Sequence, residues 1–181
     1  EEVRKKTGAA FVHPSNDINV IKGHSSCAIE LIRDTETLDA VFTPVGGGGL
    51  ISGIALGFKN FRPETKVYGG EPLNADDAYQ SMKAGKIIPV SNPDTIADGL
   101  RTSLGDVTFP IIREYVLEIF TVTEDEIIYA MRQVWERMKI VIEPSSAVAF
   151  AALLKNIEKF KNKKIGIIVS GGNVDLNHLP F

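Results

Sequence analysis

Four consecutive glycines, Gly46 to Gly49, stand between a run of buried-strand character, Ala40-Val41-Phe42-Thr43-Pro44-Val45, and an apolar helical stretch, Leu50 to Phe58. Backbone without side chains at a strand-to-helix junction leaves its N–H groups unobstructed. Together with the helix N-terminus they form a concave, partly positive nest suited to a phosphate. A merely tight turn needs only one or two glycines. The run is neither a G-x-x-x-x-G-K-[ST] loop nor a well-formed G-x-G-x-x-G, and no lysine follows to reach a second phosphate. One phosphate group on a small ligand is the expectation.

Around this junction the chain alternates. Strands are expected at 9–12, 40–45, 66–70, 119–122 and 164–169. Between them helical spacing appears at 26–32, 50–58, 74–83 and 110–115, then from the capping box Thr123-Glu124-Asp125-Glu126 to about Met138, and from Glu143 through Leu154. Such βαβ alternation predicts an α/β fold in three layers, a mostly parallel sheet with helices on both faces. No repeat or linker divides the 181 residues.

Composition excludes several classes. With 44% hydrophobic and 24% charged residues the chain is globular rather than disordered. A net charge of −3 with no basic block argues against a nucleic-acid partner. No apolar run approaches the ~18 residues of a membrane span. The single cysteine, Cys27, excludes an intrachain disulfide and suits a reducing, cytoplasmic setting. The chain opens on Glu1-Glu2-Val3-Arg4-Lys5-Lys6-Thr7-Gly8, which reads as the tail of a helix stopping at glycine. A domain rarely begins there, so further residues upstream are expected.

In a doubly wound sheet, ligands bind beyond the carboxyl ends of the strands. Three segments fall at such ends: Gly46–Gly49, Glu71–Asp77 and Ser170–Asn173. The first suits the phosphate of a sugar phosphate or of pyridoxal phosphate. Ser170 offers one neutral hydroxyl, though a plain strand-end turn accounts for that segment equally well. Glu71, Asp76 and Asp77 gather oxygen ligands of the kind hard divalent cations take. Acids facing a helix dipole are the plainer account of the same residues. His13, His24 and His178 lack metal spacing and read as solvated or structural, while Cys27 and Trp135 read as packing.

Several motifs occur together and in order: Val45-Gly46-Gly47-Gly48-Gly49-Leu50, Glu71-Pro72-Leu73-Asn74-Ala75-Asp76-Asp77, Thr95-Ile96-Ala97-Asp98-Gly99, Thr121 to Ile127, Glu143-Pro144 and Ser170-Gly171-Gly172-Asn173-Val174-Asp175. Over essentially its whole length the chain resembles the C-terminal part of the serine racemase and serine/threonine dehydratase family, pyridoxal-phosphate enzymes of fold type II. The resemblance implies that Gly46, Gly47, Gly48 and Gly49, with the Leu50 amide, hold the cofactor phosphate, and that Ser170 hydrogen-bonds the pyridine nitrogen. It implies Mg²⁺ or Ca²⁺ at Glu71, the Ala75 carbonyl and Asp77, and ATP as an effector touching Lys139 and Asn173. It further implies a homodimer acting on a small amino acid such as L-serine or L-threonine.

The chain departs from that family pattern in places. Where relatives read G-Q-G-T it has Gly23-His24-Ser25-Ser26, and after His13-Pro14 it has Ser15 where an asparagine is usual. The family's S-x-x-x-K motif with the Schiff-base lysine, its S-x-G-N-H-type loop and its second-face serine base do not occur in these residues. No catalytic residue is therefore expected within the chain, and alone it should not turn over substrate. Three functions follow: part of a racemase with ammonia-lyase activity, part of a threonine or hydroxyaspartate dehydratase, or a non-catalytic cofactor- or nucleotide-binding fragment.

Overall fold

A computed structural model describes residues 2–181. A four-stranded sheet forms its centre: β1 (Ala40–Pro44), β2 (Lys66–Pro72), β3 (Glu118–Val122) and β4 (Ile165–Ile167), in the order β3-β2-β1-β4. Every pairing is parallel, with Ala40 opposite both Lys66 and Ile165, and Gly70 opposite Phe120. Parallel neighbours need crossovers, and helices supply them. The described helices are α1 (Glu2–Thr7), α2 (Ile18–Asp34), α3 (Gly49–Phe61), α4 (Asp77–Ala84), α5 (Thr108–Tyr115), α6 (Glu124–Gln133) and α7 (Pro144–Lys155). None of them is long and apolar enough to cross a membrane.

β1 is buried along its whole length, so alternate residues feed two cores. Val41 and Val45 pack with Ile51, Ile54 and Phe58 of α3, Ala28 of α2 and Ile112 of α5. Phe42 points the other way, among Ile127 and Met131 of α6 and Val148 and Ala152 of α7. Phe42, Tyr68 and Phe120 stack across three adjacent strands, with centroids 5.2 and 5.8 Å apart. Phe160 closes on Phe42 edge-on at 4.9 Å. The sheet is therefore covered on both faces, as the alternation predicts. α3 and α2 come very close: a Cβ at Gly57 would sit 2.5 Å from that of Ala28.

One expected strand is absent, and the other differences from the sequence expectation lie at element ends. Residues 9–12 form no strand; Phe11 and Val12 are exposed and join no strand of the sheet, and the Phe11 ring meets that of His13 edge-on at 6.1 Å. α2 begins eight residues before the expected 26, because Asp17 caps it by accepting the amides of Asn19 and Val20. β2 continues to Pro72 because β3 supplies a partner as far as Val122. β4 is shorter than 164–169, although the Ile168 amide still donates to the Phe42 carbonyl at 2.9 Å. The expected capping box at Thr123 and Glu126 is present in full. α6 gives way after Gln133 to a wider turn, Val134–Met138, which stops at Lys139 in a left-handed conformation (φ 59°).

Candidate active site

β1 ends at Pro44, and the chain runs through Val45 into the glycines before α3 begins at Gly49. Gly48 turns the backbone with φ 84°, a left-handed value that a side chain would strain. The hydroxyl of buried Thr108 donates to the Gly47 carbonyl at 3.0 Å and accepts the Gly105 amide at 2.9 Å, fixing the turn from behind. Gly46 to Gly49 are buried, yet among the described residues none of the amides from Gly46 to Ile51 meets a protein acceptor. The first intrahelical bond of α3 is that of Ser52 to Gly48. Buried N–H groups left unpaired are costly, so a row of them that continues into a helix's first turn suits an anion.

The glycines form one wall of a cleft of about 730 Å3. Ser15 lies over them; a Cβ at Gly49 would come within 2.8 Å of the Ser15 carbonyl. His13 stands beside it, with Nδ1 accepting the amides of Ser15 (3.2 Å) and Asn16 (2.9 Å), which leaves Nε2 to carry the proton. His24, Thr102 and Ser103 add polar groups. On the far side are Ser170, after β4, and Glu143 and Ser145 at the start of α7. Ser145 Oγ accepts the Gly99 amide at 3.1 Å, tying the 98–100 turn to α7. Glu143 Oε2 accepts the Asn173 amide at 2.9 Å, and the Glu143 amide donates to the Gly171 carbonyl at 3.2 Å. Together these bonds hold the Ser170–Asn173 loop against the helix.

A second polar site lies at the end of β2. Glu71 is fully buried, and its two carboxylate oxygens accept the amides of Ala78 and Tyr79, both at 2.9 Å. Burial pushes its carboxyl well above the usual range; those two amides pull it down, while Asp77 and Asp76 push it further up. Asp77 Oδ2 accepts the Leu104 amide at 3.1 Å, while its Oδ1 is buried without a partner. Burial is also the main cause that lifts Asp77 to about 6, partly offset by the Leu104 amide. Ala75 is buried on the 3-10 turn between the two acids. An unpartnered carboxylate oxygen beside a second carboxylate fits a divalent cation completed by a carbonyl and water. Among the described residues, no group of three or more His, Cys, Asp or Glu side chains is arranged for a metal, so a cation here depends on that carbonyl.

The expected residues thus fall into three places. Gly46 to Gly49, Leu50 and Ser170 share the cleft. Glu71, Ala75 and Asp77 form the acidic pocket at the next strand end. Lys139 and Asn173 are exposed on neighbouring segments, where a Cβ at Gly172 would sit 2.6 Å from the Val141 carbonyl, but no hydrogen bond joins the two. His13 and His24, which lone-residue spacing assigned to solvent or structure, line the cleft, as do Thr102, Ser103 and Ser145. The Ser-Ser pair directly after Pro144 was the available signal for Ser145, since polar residues opening an otherwise apolar helix need polar partners near its N-terminus. Cys27 is half-buried, which pushes its thiol up, and Trp135 donates Nε1–H to the Ile142 carbonyl at 2.9 Å. Both serve packing.

Gly46 to Gly49 and Ser170 line one cleft at the strand ends of an α/β domain, the place where such sheets hold their ligands. The family model "Pyridoxal-phosphate dependent enzyme" matches residues 1–171, and the chain belongs to that family. It is 52% identical over 173 residues to serine racemase of Dictyostelium discoideum, covering 93% of this chain and 53% of that protein. It is 50% identical over 180 residues to β-hydroxyaspartate dehydratase of Paracoccus denitrificans (strain Pd 1222), covering 99% and 57%. Among solved structures, maize serine racemase superposes with a TM-score of 0.93 at 42% identity, covering 97% of this chain and 55% of that one. The chain spans about half the length of the curated relatives it matches. The α/β expectation and the resemblance both hold.

Proposed function

We propose that this chain supplies the cofactor phosphate, pyridine and metal contacts of a pyridoxal-phosphate-dependent serine racemase that also dehydrates serine and threonine. The observation that carries this is the row of acceptorless amides from Gly46 to Ile51, which begins in the wall of the cleft that Ser170 also lines. In this reading Gly46 to Gly49 and the Leu50 amide bind the phosphate, and Ser170 meets the pyridine nitrogen. When bound, the cofactor supplies an electron sink for the bonds at the amino acid's α-carbon. A neutral Ser170 hydroxyl leaves the ring nitrogen unprotonated and the sink moderate, which suits racemisation and β-elimination over transamination.

Glu71, the Ala75 carbonyl and Asp77 hold Mg²⁺ or Ca²⁺ in this reading, supported by the unpartnered Asp77 Oδ1. Lys139 and Asn173 take the nucleotide effector, supported by their exposure on adjoining segments. Exposed Met138, Ile140, Val141 and Leu176 supply apolar surface for a homodimer, and the lone thiol of Cys27 suits the cytoplasm. The 181 residues alone hold the cofactor noncovalently. Hydroxyaspartate dehydration is the second reading, favoured by the 50% identity to a β-hydroxyaspartate dehydratase.

The test loads the full-length protein with pyridoxal phosphate and offers L-serine, L-threonine and 3-hydroxyaspartate. D-Serine and pyruvate from L-serine are expected. Turnover of hydroxyaspartate alone selects the second reading, and cofactor binding without any turnover leaves a binding module. Borohydride reduction of the 181-residue chain with pyridoxal phosphate should label no lysine stoichiometrically. One site-specific pyridoxyl-lysine that supports serine turnover would contradict the noncovalent reading.

A further inference from the structure

Ser170 does not stand alone at the cleft wall. Its Oγ lies 3.1 Å from Oγ of Ser146, on the first turn of α7. Ser146 is only 1% exposed, so its hydroxyl is shut off from solvent. Ser146 Oγ accepts the Gly171 amide at 2.6 Å and donates to the Gly171 carbonyl at 2.7 Å. A hydroxyl has one proton and two lone pairs. With that proton on the Gly171 carbonyl, the lone pairs receive the Gly171 amide and the Ser170 hydroxyl, so the Ser170 proton points into the wall rather than into the cleft.

An unprotonated ring nitrogen only accepts. Ser170 can meet it only by turning its own proton into the cleft. The two serine oxygens then face each other at 3.1 Å with no proton between them, unless Ser146 turns its proton onto Ser170. The Gly171 carbonyl is not orphaned by that turn, because it keeps the Glu143 amide at 3.2 Å.

We propose that Ser146 is a positioning residue that sets the direction of the Ser170 hydroxyl, swinging its proton from the Gly171 carbonyl to Ser170 Oγ when a ring nitrogen occupies the cleft. The chain Ser146 to Ser170 to ring nitrogen then runs in one direction, and each bond polarises the next. Only O–H bonds rotate, and every proton stays on its own oxygen. Ser146 touches neither substrate nor cofactor. It acts through Ser170, and the inference rests on Ser170 being the partner of the ring nitrogen.

The test uses the full-length protein loaded with pyridoxal phosphate carrying an isotopically labelled ring nitrogen, read by NMR. Wild type, Ser146→Ala, Ser170→Ala and the double variant are compared. Ser146→Ala should move the ring-nitrogen resonance part of the way towards that of Ser170→Ala and weaken cofactor binding about threefold to tenfold. The double variant should coincide with Ser170→Ala. A Ser146→Ala resonance identical to wild type overturns the proposal, as does a double variant displaced from Ser170→Ala by the full Ser146→Ala shift. A role in packing alone lowers the unfolding temperature of the cofactor-free protein and leaves the resonance in place. Should Ser146→Ala fail to fold, Ser146→Cys keeps the shape with a weak donor, and a wild-type resonance there overturns the proposal equally. A Ser170→Ala resonance that stays at the wild-type position instead removes Ser170 from the ring nitrogen, which separates failure of that reading from failure of Ser146.

Discussion

The ends of β1 and β2 are both buried and both polar, but with opposite imbalance. After β1, the amides from Gly46 to Ile51 are donors without acceptors. After β2, Glu71 and Asp77 are acceptors in excess, with Asp77 Oδ1 unpartnered and both carboxyls pushed up by burial. In the proposed function these adjacent parallel strand ends take opposite partners, an anion at the first and a cation at the second. A folded chain tolerates few buried polar groups without partners, so each imbalance describes the charge of what completes it.

The largest expected break falls on the donor side. Gly47→Asp should weaken pyridoxal-phosphate binding by at least about a hundredfold, ~3 kcal/mol, measured by calorimetric titration. Its side chain collides with Ser15 and places a negative charge in the proposed phosphate seat. Any binding of nucleotide or divalent metal at their proposed sites should survive in a variant that remains folded.

On the acceptor side, Glu71→Gln with Asp77→Asn should abolish stabilisation by Mg²⁺ or Ca²⁺ in thermal unfolding. That stabilisation is about 2–3 kcal/mol at a hundredfold excess over Kd. An unchanged metal-dependent shift would remove these residues from the site.

The same side should respond to pH. Asp77 ionises at about 6 when folded and near 4 when unfolded, so the folded state holds the extra proton between those values. Without metal, its contribution to stability falls as pH rises from about 4 to about 6 and is level above that. Relative to wild type, Asp77→Asn should therefore gain stability across that window, as read by denaturant titration at fixed ionic strength. Saturating Mg²⁺ competes with the proton and should reverse the trend in wild type only.

The smallest effect should come from Thr123→Ala, which removes the capping box of α6. It should cost about 1 kcal/mol of stability while cofactor and metal affinities stay level.

Much of this was legible in the sequence, for physical reasons. An unbroken glycine run needs no tertiary context to be recognised, and the period changes at 40–58 and 119–133 fixed strand-then-helix units. What local pattern could not supply was partnership. Residues 9–12 have strand composition but meet no edge among the described residues, whereas β2 runs on to Pro72 because β3 is beside it. His13 and His24 carried no spacing signal, since the fold, and not their separation in the chain, brings them to the cleft. Asp76 and Asp77 read as a charged helix start, and Asp77 does open α4; the burial of Glu71 and Asp77 has no signature in the local pattern.

The central claim is that the tetraglycine end of β1 is completed by a phosphate. Competition calorimetry on the full-length protein tests it most directly, comparing pyridoxal phosphate with pyridoxal in the presence and absence of inorganic phosphate. Pyridoxal should bind far more weakly than its phosphate ester, and inorganic phosphate should compete with the ester without affecting pyridoxal. Equal affinity for the two, with no competition by inorganic phosphate, would contradict the account.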